Sequence, residues 1–422
     1  MKRYGTLRSA LKLSALLLSA ALLMTGSAKA QEAGGDLGGG AGIFRPKNPE
    51  TNRRRTPGIK PPTNRPPSRP PGGRPGGARP PSPPPEVIEE RFEEALEEGN
   101  SARDARKYAE AEKAYRSAGQ LKPKDSRGWY GLGNVYTDQQ RWDEAEKAYR
   151  QASNYALQNA DVFVALSYVL VQPRLGGANA RRLLEAELAA RRAIQIQSTN
   201  AVAYDRLGVA LEERGLSNTD VEQAYRRAIE LDSEFAVAHV HLASLLRKTG
   251  RSAEAQPFYT RATELAKDAP TLVLIASALQ SEQRWFDSEP VLRRALEIDA
   301  NSPSALFLLG RVLNIKKSYD EAEKTLQRAI EISPRSFGPY ALLGSTYLST
   351  DRIADAEKIY SRAADLATPG ERKQLGGAFG FEGVGDGYIK MGKKSDALSA
   401  YQRALQLDPN NAGLRAKIAQ AR

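Results

Sequence analysis

The chain has 422 residues, no cysteine and a formal charge of +12. Without cysteine there are no disulfides, no thiol chemistry, no cysteine-ligated metal and no lipid-acceptor cysteine of a bacterial lipoprotein. The charge points first to nucleic acid, but residues 1–30 carry a net +5, residues 31–85 a net +7, and residues 86–422 balance 47 basic against 47 acidic side chains. The bulk of the protein therefore has no one-signed field to steer phosphate.

Residues 1–30 read as a secretory signal peptide. Lys2, Arg3, Arg8 and Lys12 precede an apolar run from Leu13 to Met24, and Ala28 and Ala30 stand in the A-x-A spacing that a signal peptidase requires. A membrane anchor is the competing reading, but a span needs ~20 apolar residues, and Lys12 interrupts any extension to that length. Cleavage after Ala30 is expected, giving an exported chain, periplasmic or secreted, with no transmembrane span once mature.

Residues 31–85 hold 15 of the 25 prolines and 11 of the 35 glycines. So little of this stretch can be buried that nothing offsets its ordering entropy, and it reads as a disordered linker. It serves as a solvated spacer in the favoured reading. In the sharper one it is a tether, with Arg53, Arg54, Arg55, Arg65, Arg69, Arg74 and Arg79 in weak contact with anionic envelope polymers. Nucleic acid is disfavoured, since the arm lacks interleaved aromatics for stacking.

From Lys107 the chain reads KYAEAEKAYRSA, and 34 residues later RWDEAEKAYRQA, with SYDEAEKTLQRA at Ser318. A helix, a turn and a second helix fit in 34 residues, and such a hairpin buries its apolar faces only by stacking on copies of itself. Within Ser126–Asn159, Trp129, Leu132, Gly133 and Tyr136 share one helical face, and Ala145, Tyr149 and Ala152 share another. The Glu and Lys/Arg residues between them form i,i+3 and i,i+4 pairs on a solvated side.

This pattern, W-x2-L-G-x2-Y followed by A-x3-F, A and P, resembles the tetratricopeptide repeat. The resemblance covers about nine units across residues 86–411, beginning near Phe92, Ser126, Ala160, Ala201, Ala236, Ala269, Pro303, Phe337 and Ala378. It implies an all-α fold, an α-solenoid of stacked helix-turn-helix units in a right-handed superhelix, preceded by the disordered arm. Residues 412–422 are expected to form a capping helix. Pro173 is expected to end the first helix of unit three, where insertion QPRLGGANA lengthens the unit. Thr368-Pro369 with Glu371 looks like a helix start, so the first helix of unit nine is expected to extend toward it.

Catalytic and cofactor motifs are missing. The Gly376–Gly387 run lacks the strand and helix N-terminus of a phosphate loop, and Gly385 falls on the repeat's own glycine position. His239 and His241, two apart on a helix, point to different faces and make a poor chelating pair. No metal, cofactor or enzymatic activity is expected.

What remains is surface. The resemblance implies a concave groove, lined by the first helix of each pair, that binds a peptide or partner protein. Its candidate residues are Asn100, Arg103, Arg127, Tyr130, Asn134, Asp138, Tyr168, Arg247, Phe307, Arg311 and Asn314. Asn100 and Asn134 occupy equivalent places, where a side-chain amide can pair with an extended backbone. Chaperone-binding members of the family add carboxylate-clamping lysines; Leu96 and Val164 stand at those places here. The chain thus reads as a non-enzymatic interaction scaffold outside the cytoplasm, with an envelope-tethered solenoid and a regulatory or substrate-presenting subunit of an enzyme complex as alternatives. As exposed groove residues, Asn100 and Asn134 are expected to matter to binding and little to stability.

Overall fold

The computed structural model describes residues 46–51, 84–172 and 179–422. Among them are twenty α-helices and no β-strand. The signal-peptide reading and most of the arm lie outside the described residues.

The repeat becomes consecutive helix pairs: α1 (Pro85–Asp104) with α2 (Tyr108–Leu121), α3 (Ser126–Asp138) with α4 (Trp142–Tyr155), and α5 (Ala160–Val171) with α6 (Ala180–Ile196). Then come α7 (Ala201–Glu213) and α8 (Asn218–Leu231), α9 (Ala236–Lys248) and α10 (Ser252–Leu265), and α11 (Ala269–Ser281) and α12 (Trp285–Ile298). The last are α13 (Pro303–Ile315) and α14 (Tyr319–Ile332), α15 (Phe337–Ser349) and α16 (Ile353–Leu366), α17 (Pro369–Leu375), α18 (Phe381–Lys390), α19 (Lys394–Leu407) and α20 (Ala412–Ala421). The chain divides into two compact bodies, one built from residues 45–171 and 181–199, the other mainly from 200–422.

Five of the pairs close on one kind of contact, a tyrosine on a glycine, and in α13 and α14 Leu326 takes the place of the tyrosine against Gly310. Tyr149 of α4 is fully buried, and its ring lies where a Cβ on Gly133 of α3 would sit, 2.4 Å away. The same tyrosine-on-glycine packing joins Tyr115 to Gly99, Tyr225 to Gly208, Tyr360 to Gly344 and Tyr401 to Gly385. Glycine is needed there because the partner ring replaces its side chain. Alanines such as Ala111, Ala118, Ala145 and Ala152, all fully buried, bring the second helix close.

The turns share a device as well. After α3, the Gln140 N–H donates to the Thr137 carbonyl at 3.0 Å and the Arg141 N–H to the Tyr136 carbonyl at 2.8 Å. This Schellman closure places Gln140 at φ 57°, a left-handed conformation costing a residue with a Cβ about 1 kcal/mol. Gly215, Gly250 and Gly392 stand at the matching turns. Gln140→Gly is therefore expected to raise stability by about 0.5–1 kcal/mol, measured by urea unfolding; a loss would show that the Gln140 side chain matters more than its backbone.

Two expectations need correction. α1 begins at Pro85, upstream of Phe92, with proline in the first turn and Glu86 beside it. Unit nine does not have one lengthened first helix: α17 starts at Thr368 with a full capping box, as expected, but stops at Leu375, and α18 starts anew at Phe381. A Cβ on Gly380 would lie 2.1 Å from the Leu375 carbonyl oxygen, so the chain folds back there instead of continuing. α5 ends at Val171, and Pro173 lies outside the described residues.

His239 and His241 go to separate partners. His239 Nε2 meets the Ser233 carbonyl at 3.1 Å, and His241 Nδ1 meets Asp205 at 2.6 Å. No metal-ligating group of three is found among the described residues. Nor, among them, is any helix long and apolar enough to cross a membrane. Asp205 is fully buried. Burial pushes its pKa up, but His241 and Arg206 outweigh that and hold it at about 2. A carboxylate depressed below its ordinary ~3.9 contributes stability that is present above that value and lost as pH falls toward the folded pKa. The second body is expected to lose on the order of 2 kcal/mol between about pH 4 and about pH 2 through this group. Thermal melts against pH test this: Asp205→Asn should flatten the acid limb, and an unchanged limb would contradict it.

Candidate functional site

Six residues of the arm, Pro46–Thr51, belong to the first body and form a lone strand, outside any helix and without β-pairing. They lie against α1 and α3, which corrects the reading of residues 31–85 as uniformly unstructured. Their composition explains the difference: two separated prolines flank Lys47 and Asn48, and the solenoid supplies partners for the Asn48 side chain and for the Pro46, Lys47, Pro49 and Glu50 carbonyls, offsetting the entropy of ordering.

The partners begin with the asparagines. Asn134 Nδ2 donates to the Lys47 carbonyl at 2.8 Å, and Asn100 Nδ2 donates to the Pro49 carbonyl at 2.9 Å. Each amide is held from behind by the tyrosine that packs on the preceding glycine. Tyr149 Oη donates to Asn134 Oδ1 at 2.9 Å, and Tyr115 Oη donates to Asn100 Oδ1 at 2.7 Å. Thr137 Oγ1 in turn lies 3.1 Å from Tyr149 Oη, and since that hydroxyl is spent on Asn134, Thr137 donates. A carbonyl only accepts, so the amide must turn its nitrogen outward and its oxygen to the tyrosine.

Arg103 reads the same strand. Its Nε and Nη2 form a bidentate pair with Asp138 at 2.7 and 2.9 Å, leaving Nη1 to donate to the Pro46 carbonyl at 2.7 Å and to Asn48 Oδ1 at 2.9 Å. Burial opposes the Arg103 charge, but hydrogen bonding and charge pairing with Asp138 raise its pKa overall. Arg127 Nη1 donates to the Glu50 carbonyl at 3.0 Å and pairs with Glu93 at 2.9 Å. Asp125 caps α3 by accepting from the Arg127 N–H and also binds its guanidinium.

Asn100 and Asn134 are one repeat apart, and their targets are carbonyls two residues apart. Carbonyls at i and i+2 are ~6–7 Å apart on an extended chain, so one strand can bridge two neighbouring helices. Pro46 and Pro49 are buried while Lys47 and Glu50 are exposed, the three-residue period of polyproline II. The strand's contacts alternate between the two units, Pro46 and Pro49 on α1 and Lys47 and Glu50 on α3, and step from Arg103 to Asn100 and from Asn134 to Arg127, so it lies between α1 and α3 and runs opposite to both helices.

Five of the candidate residues thus converge: Asn100, Arg103, Arg127 and Asn134 touch the strand, and Asp138 positions Arg103. Tyr130 is buried with its ring 5.8 Å from that of Tyr149. Tyr168 is buried edge-on to Trp142 at 6.3 Å. Leu96 and Val164 are buried too. The remaining candidates lie in the second body and have partners there. Arg247 pairs with Glu282 at 2.5 Å, Arg311 donates to Gln280 and stacks over Trp285 and Phe307, and Asn314 donates to Thr346 at 2.8 Å. Sequence reasoning missed Tyr115 and Tyr149 as orienting groups, Asp104 as a contact of the strand, and the strand itself. A tyrosine fifteen residues after each asparagine, at the same 34-residue offset, was the available signal.

Tetratricopeptide repeat models match residues 96–158, 236–268, 273–337 and 378–411. Among solved structures, the crystal structure of MamA is 20% identical, with 42% of this chain and 92% of that chain covered and a TM-score of 0.35. YrrB, described as a TPR protein with an unusual peptide-binding site, is 22% identical over 42% of this chain and 92% of that one, with a TM-score of 0.34. A thermophilic TPR protein from Thermus thermophilus is 21% identical over 45% and 99%, with a TM-score of 0.38. No curated protein matches the sequence.

Stacked helix pairs closed by a tyrosine on a glycine define an α-solenoid, a class of interaction scaffold. More particularly, the chain is a tetratricopeptide repeat protein.

Proposed function

We propose that the protein is a non-enzymatic adaptor, exported from the cytoplasm, that receives an extended segment of a partner protein in the groove of its first two repeats. One observation carries the groove reading: two side-chain amides, a repeat apart and each held by a tyrosine, donate to alternate carbonyls of one extended strand. Backbone carbonyls are common to all peptides, so this arrangement supplies affinity, and neighbouring side chains supply selection.

The comparison that tests it sets proteins captured by the wild-type chain from an envelope extract against those captured by the Asn100→Ala, Asn134→Ala chain. Clients of the groove should be lost from the variant. An identical set would place binding elsewhere on the solenoid.

Export rests on the arrangement of residues 1–30. The mature N-terminus is expected to be Gln31, read by mass spectrometry of the protein recovered outside the cytoplasm. A retained Met1 in the membrane fraction would contradict cleavage.

A further inference from the structure

We propose that Pro46–Glu50 is a resident strap over the groove, and that the groove admits from outside only extended segments of the same chemistry, Pro-x-Asn-Pro, which must displace it. This rests on the groove reading above and adds what the groove selects and how it is regulated.

Selection centres on Asn48. Its Oδ1 accepts from Arg103 Nη1 at 2.9 Å, and its Nδ2 donates to Asp104 Oδ2 at 3.0 Å. An amide accepts from a guanidinium through its oxygen and donates to a carboxylate through its nitrogen at once, from two atoms spaced as these two partners are. Aspartate there would set a carboxylate against Asp104, and an aliphatic residue would leave Arg103 Nη1 with one acceptor fewer. Pro46 and Pro49 are the two buried positions, and their fixed φ lowers the cost of holding an extended backbone. Lys47, Glu50 and Thr51 are exposed, so the groove tolerates other side chains there. The pattern Pro-x-Asn-Pro occurs once in the 422 residues, at Pro46–Pro49.

Regulation follows from covalent linkage. Residues 52–83 join the strap to α1, and a segment linked in this way competes at an effective concentration on the order of millimolar. An external peptide then sees only the fraction of molecules whose groove is open, and its apparent affinity falls by that fraction. A partner presenting the motif more than once, or at high local concentration, opens the groove; a single weak copy does not.

The test uses the intact chain and a labelled peptide of residues 43–52, followed by fluorescence anisotropy. The Asn48→Asp chain, its strap weakened, should bind the probe at least about ten-fold more tightly than the wild-type chain. A probe carrying aspartate at the position of Asn48 should not bind. Equal affinity for the two chains would overturn the strap while leaving the groove reading in place. No binding by a well-folded Asn48→Asp chain would overturn both. Concentration-dependent dimers that vanish in the Asn48→Asp chain would put the strap in a neighbour's groove and overturn the intramolecular form.

Discussion

Replacing both Asn100 and Asn134 by alanine is expected to weaken binding of the strap peptide by roughly ten-fold or more, measured by calorimetry in the Asn48→Asp background so that the groove is open. Each substitution removes one N–H···O bond, worth ~0.5–1.5 kcal/mol, and 1.4 kcal/mol is ten-fold in affinity. The melt should fall as well, which corrects the expectation from sequence. Asn134 is fully buried, and its loss deprives the Tyr149 hydroxyl of the acceptor at 2.9 Å. A buried donor left without a partner costs ~1–3 kcal/mol. Asn134→Asp separates the two effects. It keeps the acceptor for Tyr149 and turns a second acceptor toward the Lys47 carbonyl, so affinity should drop while the melt is better preserved. Unchanged affinity in the double variant would show that the amides do not carry binding.

The largest loss of stability is expected from Gly133→Val. Its Cβ would lie 2.4 Å from the Tyr149 ring, inside the closest approach of two carbons. The ring must move, and overpacking of this kind costs typically 1–3 kcal/mol, occasionally more. Ala145, fully buried on α4, should respond similarly to a bulky residue. Gly133→Val should also cost peptide affinity, because the displaced tyrosine is the one that aims Asn134. Gly208→Val is the control: a Cβ there would meet the Tyr225 ring at 2.4 Å in the second body, so it should lower the melt and leave the groove unaffected. Equal loss of peptide binding in both would mean that affinity tracks general stability and not the tyrosine–asparagine relay.

The repeat register was legible because stacking imposes a period on the sequence. Ser126, Ala160, Ala201, Ala236, Ala269, Pro303 and Phe337 each begin a helix, as the repeat of about 34 residues indicates once the insertion in unit three is allowed for. Unit nine also begins where expected, with the repeat matched over residues 378–411, but its first helix is not extended: Gly380 folds the chain back on Leu375, a close approach that no pattern of apolar residues reports. Asn100 and Asn134 were legible as a repeated amide. The burial of Asn134 and the partners of both amides were not, since they depend on tyrosines from the second helix and on a strand 87 residues from Asn134. That strand lies in a stretch whose average composition reads as solvated, and six residues with their own partners do not alter an average taken over fifty-five. Arg311 and Asn314 look like groove residues by position, but their neighbours claim them, and only packing shows which polar residues are already engaged.

The most direct measurement is the distance between spin labels at Lys47→Cys and Lys113→Cys, by pulsed electron resonance. The chain has no cysteine of its own, and both positions are exposed. A docked strand predicts a single narrow distribution in the otherwise wild-type chain, broadening when Asn100 and Asn134 are replaced by alanine or when excess strap peptide is added. A distribution equally broad in all three samples would mean that the strand does not occupy the groove.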